Sequence, residues 1–164
     1  MLRLVNRQRR DRVPVAWLSR VADCAARRLK VALRGELVVT FIDHRTMQRL
    51  NWRFLRHRGV TDVLTFRYSH PQRGPGQARG HQSGILAGFR PAGLHEPLDG
   101  DILITPAVAR RYARQHGLEY REELARYVVH GLLHWVGHDD ATPLQQRRMR
   151  AVEDQLLACC GVRS

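Results

Sequence analysis

Two histidines four residues apart, His130 and His134, stand in the stretch HGLLHWVGHDD (130–140) among leucine, valine and tryptophan. On an α-helix, residues i and i+4 share a face, so both imidazoles can point at one ion. Zinc takes imidazole nitrogen at about 2.0–2.1 Å in tetrahedral geometry, and a catalytic zinc keeps three protein ligands and one open position. The helix supplies two ligands, so the third must come from where the chain turns back. Gly137, three residues after His134, permits that turn. The pattern H-x-x-x-H-x-x-G-x-x-[ligand] then puts the third ligand at Asp140, whose carboxylate is an acceptable zinc donor. His138 is the rival. A straight helix would line up His130, His134 and His138, but the outer two would stand about 12 Å apart by helix rise and wrap a tetrahedral ion poorly. The expectation is therefore about one zinc ion per chain on His130, His134 and Asp140, with His138 beside it as an acid, base or substrate contact. Asp139 is expected to accept the free ring N–H of a ligand.

A lone histidine pair at this spacing is more often packing than a site. Here the pair lies within the nonpolar run Val128 to Val136, where an unpartnered imidazole is costly to bury. The glycine and the acid at matching offsets add to the case for a metal. Gly131 occupies the position at which the H-E-x-x-H pattern of zinc proteases carries its glutamate base, so peptide hydrolysis is the weaker chemistry.

Positioning these residues requires elements, and the periodicity supplies them. Residues 2–8 (LRLVNRQ) alternate apolar and polar and predict a strand; a helix follows from Pro14 to about Val31, with Val15, Leu18, Val21, Ala22, Ala25 and Leu29 at helical spacing. ELVVTFID (36–43) is a β-branched strand, 45–54 a short helix, and TDVLTFRY (61–68) a further strand. DGDILIT (99–105) predicts the fourth strand, and Pro106 opens a helix to about His116. The main helix runs from Glu119 to Val136, and the last from the cap Thr142 and Pro143 to about Cys159. Between Ser69 and Pro97 the pattern fails: four prolines and six glycines predict a mobile insertion, in which 83–89 is a candidate short strand.

The composition bounds the function. At 164 residues, with 43% hydrophobic and 26% charged residues, the chain fits one soluble globular domain. No apolar run reaches the roughly 18 residues of a membrane span, and the opening MLRLVNRQRRDR has no signal-peptide core, so a cytoplasmic protein is expected. Twenty-eight cations face 15 acids, a net charge of +13. Lys30 is the sole lysine, so arginine supplies the other 27. Genomic base composition can set the ratio of arginine to lysine but not the excess of cations, which favours a polyanion such as nucleic acid. Cys24 falls in an apolar helical pattern, and no C-x-x-C pair exists, which fits a reducing compartment without a thiolate zinc site.

Taken together, these residues resemble the YbeY family of bacterial ribosomal RNA maturation endonucleases. The family's H-G-x-L-H-x-x-G-Y-D-H motif is matched by HGLLHWVGHDD through Gly137 and again at Asp139; LNWRFLRHRGVTDVLTF (50–66) and DGDILIT resemble its L-N-x-x-[FY]-R-…-P-T-D-V-L-S-F and L-G-D-I-x-I-S segments. The likeness implies a single α+β domain over 1–164, with a small mixed four-stranded sheet, about five helices and a zincin-like metal helix. It also implies zinc-dependent cleavage of single-stranded RNA, in 3′-end maturation of small-subunit ribosomal RNA and in ribosome quality control. The family's third histidine falls at Asp140, its tyrosine at His138 and its arginine at Leu55, with Arg56 one place along. On this reading Arg56 or another cleft arginine offsets phosphate charge and His138 transfers a proton, while Arg53 and Arg58 are solvated or steer phosphate, and Asn51 fixes the local loop or simply ends the helix. The competing readings are a ribosome-associated RNA-binding factor with a structural zinc held by both His138 and Asp140, and a zinc hydrolase of another substrate.

Overall fold

The computed structural model describes residues 1–30, 35–56, 59–69 and 98–163. Along the chain run β1 (Leu2–Asn6), α1 (Val15–Arg28), β2 (Leu37–Phe41), α2 (His44–Leu55), β3 (Val63–Ser69), β4 (Leu98–Ile104), α3 (Pro106–His116), α4 (Tyr120–Val136) and α5 (Pro143–Cys159). The four strands form one mixed sheet in the order β1-β2-β4-β3: β1, β2 and β4 are parallel, and β3 pairs antiparallel with β4. This is the expected α+β architecture. The candidate strand at 83–89 and the expected insertion lie outside the described residues, save for Ser69 at the end of β3.

The sheet sorts its side chains by the two-residue period of a strand. Leu37, Val39, Phe41, Ile102, Ile104 and Val63 face the main core, which they share with α1 and α4. Leu64 and Phe66, one place out of phase with Val63, belong to a second cluster with Met47 and Leu50 of α2. α4 lies in the middle of the molecule. Leu124, Val128, Leu132 and Leu133 are wholly buried and Trp135 nearly so, which is why this stretch reads as apolar on several sides at once. Gly131 lets α4 sit close to the sheet, because a Cβ there would stand 2.5 Å from Ile102 Cγ2 and 3.2 Å from Val63 Cγ1.

Among the boundaries that differ from expectation, three have visible local reasons. The first strand ends at Asn6 and not at Gln8: Asn6 Oδ1 accepts from the Gln8 backbone and side chain, and Gln8 Oε1 accepts from the backbones of Arg10 and Asp11. Side-chain hydrogen bonds thus replace the ladder. Asp43, expected at the end of the second strand, instead caps α2 by accepting from the Thr46 backbone at 3.0 Å. The first helix stops at Arg28, with Lys30 in the left-handed region at φ 52°. The last helix starts where expected: Thr142 and Gln145 form a reciprocal capping box ahead of Pro143.

Candidate metal centre

α4 ends in a turn that both closes the helix and builds the site. Gly137 adopts φ 102°, a conformation that side chains disfavour. Its N–H donates to the His134 carbonyl at 3.0 Å, and the His138 N–H donates to the Leu133 carbonyl at 2.9 Å, the paired bonds of a Schellman motif. The chain therefore reverses, and Asp140 returns over the last turn of the helix. Asp139 Oδ1 accepts from the Asp140 backbone at 2.8 Å and fixes the loop before α5 begins.

His130, His134 and Asp140 come together, each offering one ligand atom within 4.8 Å of the others. The two Nε2 atoms are 3.0 Å apart. His130 Nε2 lies 3.9 Å from Asp140 Oδ2, and His134 Nε2 lies 3.7 Å from Asp140 Oδ1. Two donors each about 2.0–2.1 Å from a tetrahedral ion stand roughly 3.3–3.4 Å apart, so the triangle has the dimensions a zinc-sized ion requires.

The protons of the rings make the stronger argument. His130 Nδ1 donates to Glu153 Oε1 at 2.7 Å, and His134 Nδ1 donates to the His138 carbonyl at 3.1 Å. In the neutral form with both protons on Nδ1, the two Nε2 lone pairs face each other across 3.0 Å with a carboxylate beside them, an arrangement that a cation between them relieves. The donor set fits a divalent metal. Burial pulls the His130 pKa down, but the hydrogen bond and charge of Glu153, aided by Asp62 and Asp140, outweigh it and leave the value raised. Burial and the neighbouring His130 lower that of His134.

Glu153 takes the place expected for Asp139. It is buried on α5, holds His130 by its ring N–H, and is held in turn by Arg126 Nη1 at 3.2 Å. Arg126, itself buried, also donates to Asp154 at 2.6 Å and lies 3.8 Å from Glu123. Glu153 had a legible signature. It follows Met149 by four residues and precedes Leu156 by three, which places a carboxylate on the apolar stripe of its helix. A carboxylate–histidine–metal relay of this kind sets ring orientation and tautomer.

His130 and Asp140 line a cleft of about 410 Å³ between α3, α4, α5 and the segment Val60–Asp62, whose walls also include Arg126 and Arg150. The His138 ring is exposed and stands outside the three-residue group, while its backbone serves His134. His130, His134 and Asp140 are thus a three-residue group that could hold a metal ion, the number of protein donors that catalytic sites supply. Arg56 is the exposed, left-handed residue that ends α2 (φ 54°). Sequence reasoning missed Arg150, which lines the cleft with about half its side chain exposed. Asn51 does secure its loop: buried, it donates to the Gly59 carbonyl at 2.8 Å. No helix among the described residues is long and apolar enough to cross a membrane.

Residues 4–161 match the family model described as Endoribonuclease YbeY. A protein of that name from Myxococcus xanthus is 36% identical over 128 residues, which span 77% of this chain but only 37% of that longer protein. Those from Corynebacterium kroppenstedtii and Cutibacterium acnes are 31% and 33% identical, covering 96% and 84% of this chain and 72% and 80% of theirs. Among solved structures, a solution structure of a Thermotoga maritima protein shares the fold, with a TM-score of 0.54 at 16% identity over 96% of this chain and 90% of that one. Matched along nearly its whole length, the chain belongs to the YbeY endoribonuclease family.

Proposed function

We propose that this protein is a zinc-dependent endoribonuclease that cuts single-stranded RNA. The observation that carries this reading is the convergence of His130 Nε2, His134 Nε2 and the Asp140 carboxylate at the edge of an open cleft. His130, His134 and Asp140 would hold the ion, which supplies Lewis acidity towards phosphate and lowers the pKa of a coordinated water. Glu153 keeps the proton on His130 Nδ1, so the other nitrogen stays available to the ion. Arg150 in the cleft and Arg56 at the end of α2 offset negative charge on the phosphate. His138, beside the triad and exposed, gives a proton to the leaving oxygen through its imidazole. A purely structural zinc would need the His138 ring in the ligand set, and it is the His138 carbonyl that contacts His134. In the cell this activity would serve 3′-end maturation of small-subunit ribosomal RNA and ribosome quality control in the cytoplasm, with the small subunit as partner.

The test is metal content and cleavage of a labelled single-stranded RNA. Wild type should hold about one zinc per chain and cut the RNA; His130→Ala and Asp140→Ala should lose both metal and cleavage. His138→Ala should keep the metal and cut more slowly by a factor of about 10²–10⁴. Metal retained in Asp140→Ala but lost in His138→Ala would reverse the assignment of the third ligand. Metal without cleavage of any RNA would overturn the enzymatic reading.

A further inference from the structure

We propose that the outward face of α2 is a binding strip for single-stranded RNA, with a base stacked on Trp52 and the flanking phosphates held by Arg45, Arg49 and Arg53. This rests on the endoribonuclease reading above and extends the substrate contact beyond the cleft.

The helix HRTMQRLNWRFL contains no acid. Its inward stripe is Met47, Leu50 and Asn51, which meets Ile42 and Leu64 or secures the following loop. Opposite it, Arg45, Arg49 and Trp52 fall at i, i+4 and i+7, with Arg53 beside them and Arg56 just past the helix end, and all five are exposed. Trp52 is 46% exposed, whereas Trp135 is 2% exposed and Trp17 packs against the main core. An exposed indole flanked by arginines one helical turn away is the combination that single-strand binders use: a π-face accepts any unpaired base, and the guanidiniums follow the backbone. Successive arginines of the stripe are about 6 Å apart along the helix axis, a reach open to neighbouring phosphates.

The strip also leads to the cleft. Asn51 ties Gly59 back to α2, and Val60 packs against the α2 cluster while lining the cleft wall with Thr61 and Asp62. An RNA strand lying along α2 would pass Arg56 and arrive at the wall of the candidate metal centre. A duplex keeps its bases stacked internally and cannot use the indole in this way, so the unpaired strand is the favoured partner.

The experiment uses the full chain and a short unstructured RNA with an uncleavable backbone, alongside an RNA duplex, with binding followed by fluorescence anisotropy across a salt series. Trp52→Ala should weaken single-strand binding about tenfold, and Trp52→Phe should restore most of it. Arg45→Gln with Arg49→Gln should flatten the slope of log affinity against log salt by about 1.4, since each phosphate contact on a single strand contributes about 0.7. Duplex affinity should not respond to Trp52→Ala. Single-strand affinity unchanged in Trp52→Ala, or an equal loss for the duplex, would overturn the strip while leaving the enzyme reading intact. Failure of the wild type to bind any RNA would overturn both. Metal content and unfolding midpoint of each variant, expected to equal wild type, show that an observed loss is not a folding defect.

Discussion

Glu153 is the residue on which the candidate metal centre turns, through its hydrogen bond to the His130 ring. Its carboxylate is buried, shared between the His130 N–H and Arg126, and so cannot change without a response at both ends. Outer partners of metal-binding histidines typically control affinity by a factor of about 10–100. Glu153→Gln keeps an acceptor oxygen but removes the charge, and we expect metal affinity to fall within that range with the fold retained. Glu153→Ala should lose more, because the His130 ring loses its orienting acceptor and Arg126 keeps only Asp154 and the more distant Glu123. Competition with a chelator measures both, and an unchanged affinity in Glu153→Gln would show that the carboxylate is merely structural. The meeting of His130, His134 and Asp140 was legible, because two helical turns and a glycine fix where they can come together. Their supporting residue was not assigned, because its partner is 23 positions away on another helix. Asp139, the residue expected in that role, is adjacent to a ligand in sequence but is engaged in holding the turn.

At the scale of elements, the approach of α4 to the sheet and the capping of α2 each make a prediction. Gly131→Ala gains about 1 kcal/mol of helix propensity, but the new methyl would stand 2.5 Å from Ile102 Cγ2. Ile102 is β-branched and fully buried in the sheet, so it has little room to yield. Overpacking of this kind costs about 1–3 kcal/mol, and a net loss of about 1 kcal/mol is expected in denaturant unfolding; a variant as stable as wild type would show that the helix can move away freely. At α2, hydrogen bonds from the Thr46 backbone and hydroxyl hold the Asp43 carboxyl below its ordinary range, against the opposing effect of its partial burial. A depressed folded pKa gives stability that is complete above the unfolded value of about 3.9 and is lost as pH falls through the folded value. Asp43→Asn keeps the cap without titrating, so the stability of wild type relative to this variant should decline between about pH 5 and pH 2. A difference constant with pH would refute the assignment. Asp43 also marks where sequence reading of the fold reached its limit. Strand and helix interiors follow from periodicity, and all nine elements among the described residues were legible, but Asp43 continues a β-branched run and only the fold shows its side chain turned to the next helix. Asn6 and Gln8 misled in the same way, since their side chains compete locally with the ladder.

Across the whole molecule, the acids and the arginines are used differently. Several acids are committed internally: Asp11 to Arg110, Asp43 to a helix cap, Glu123, Glu153 and Asp154 around Arg126, and Asp140 to the histidines. The remaining cationic excess, +13 over the chain, lies largely on exposed arginine, including Arg45, Arg49, Arg53 and Arg56 on α2 and Arg147 and Arg148 on α5. Such a field draws polyanions from a distance and is screened by salt over about 10 Å at 0.1 M. If its role is to hold RNA, binding must release condensed counterions, and log affinity should fall linearly with log salt at about 0.7 per phosphate on a single strand. Contact with roughly four phosphates predicts a slope near −3, so affinity should drop by more than tenfold when salt is raised from about 0.05 to 0.2 M. Measuring the slope for wild type and for Arg147→Gln/Arg148→Gln tests what the excess is for. A charge that serves something other than RNA would leave RNA affinity nearly flat with salt. A steep wild-type slope unaltered by the α5 variants would instead confine the RNA path to α2 and the cleft, because only arginines that neutralise phosphate contribute to the slope.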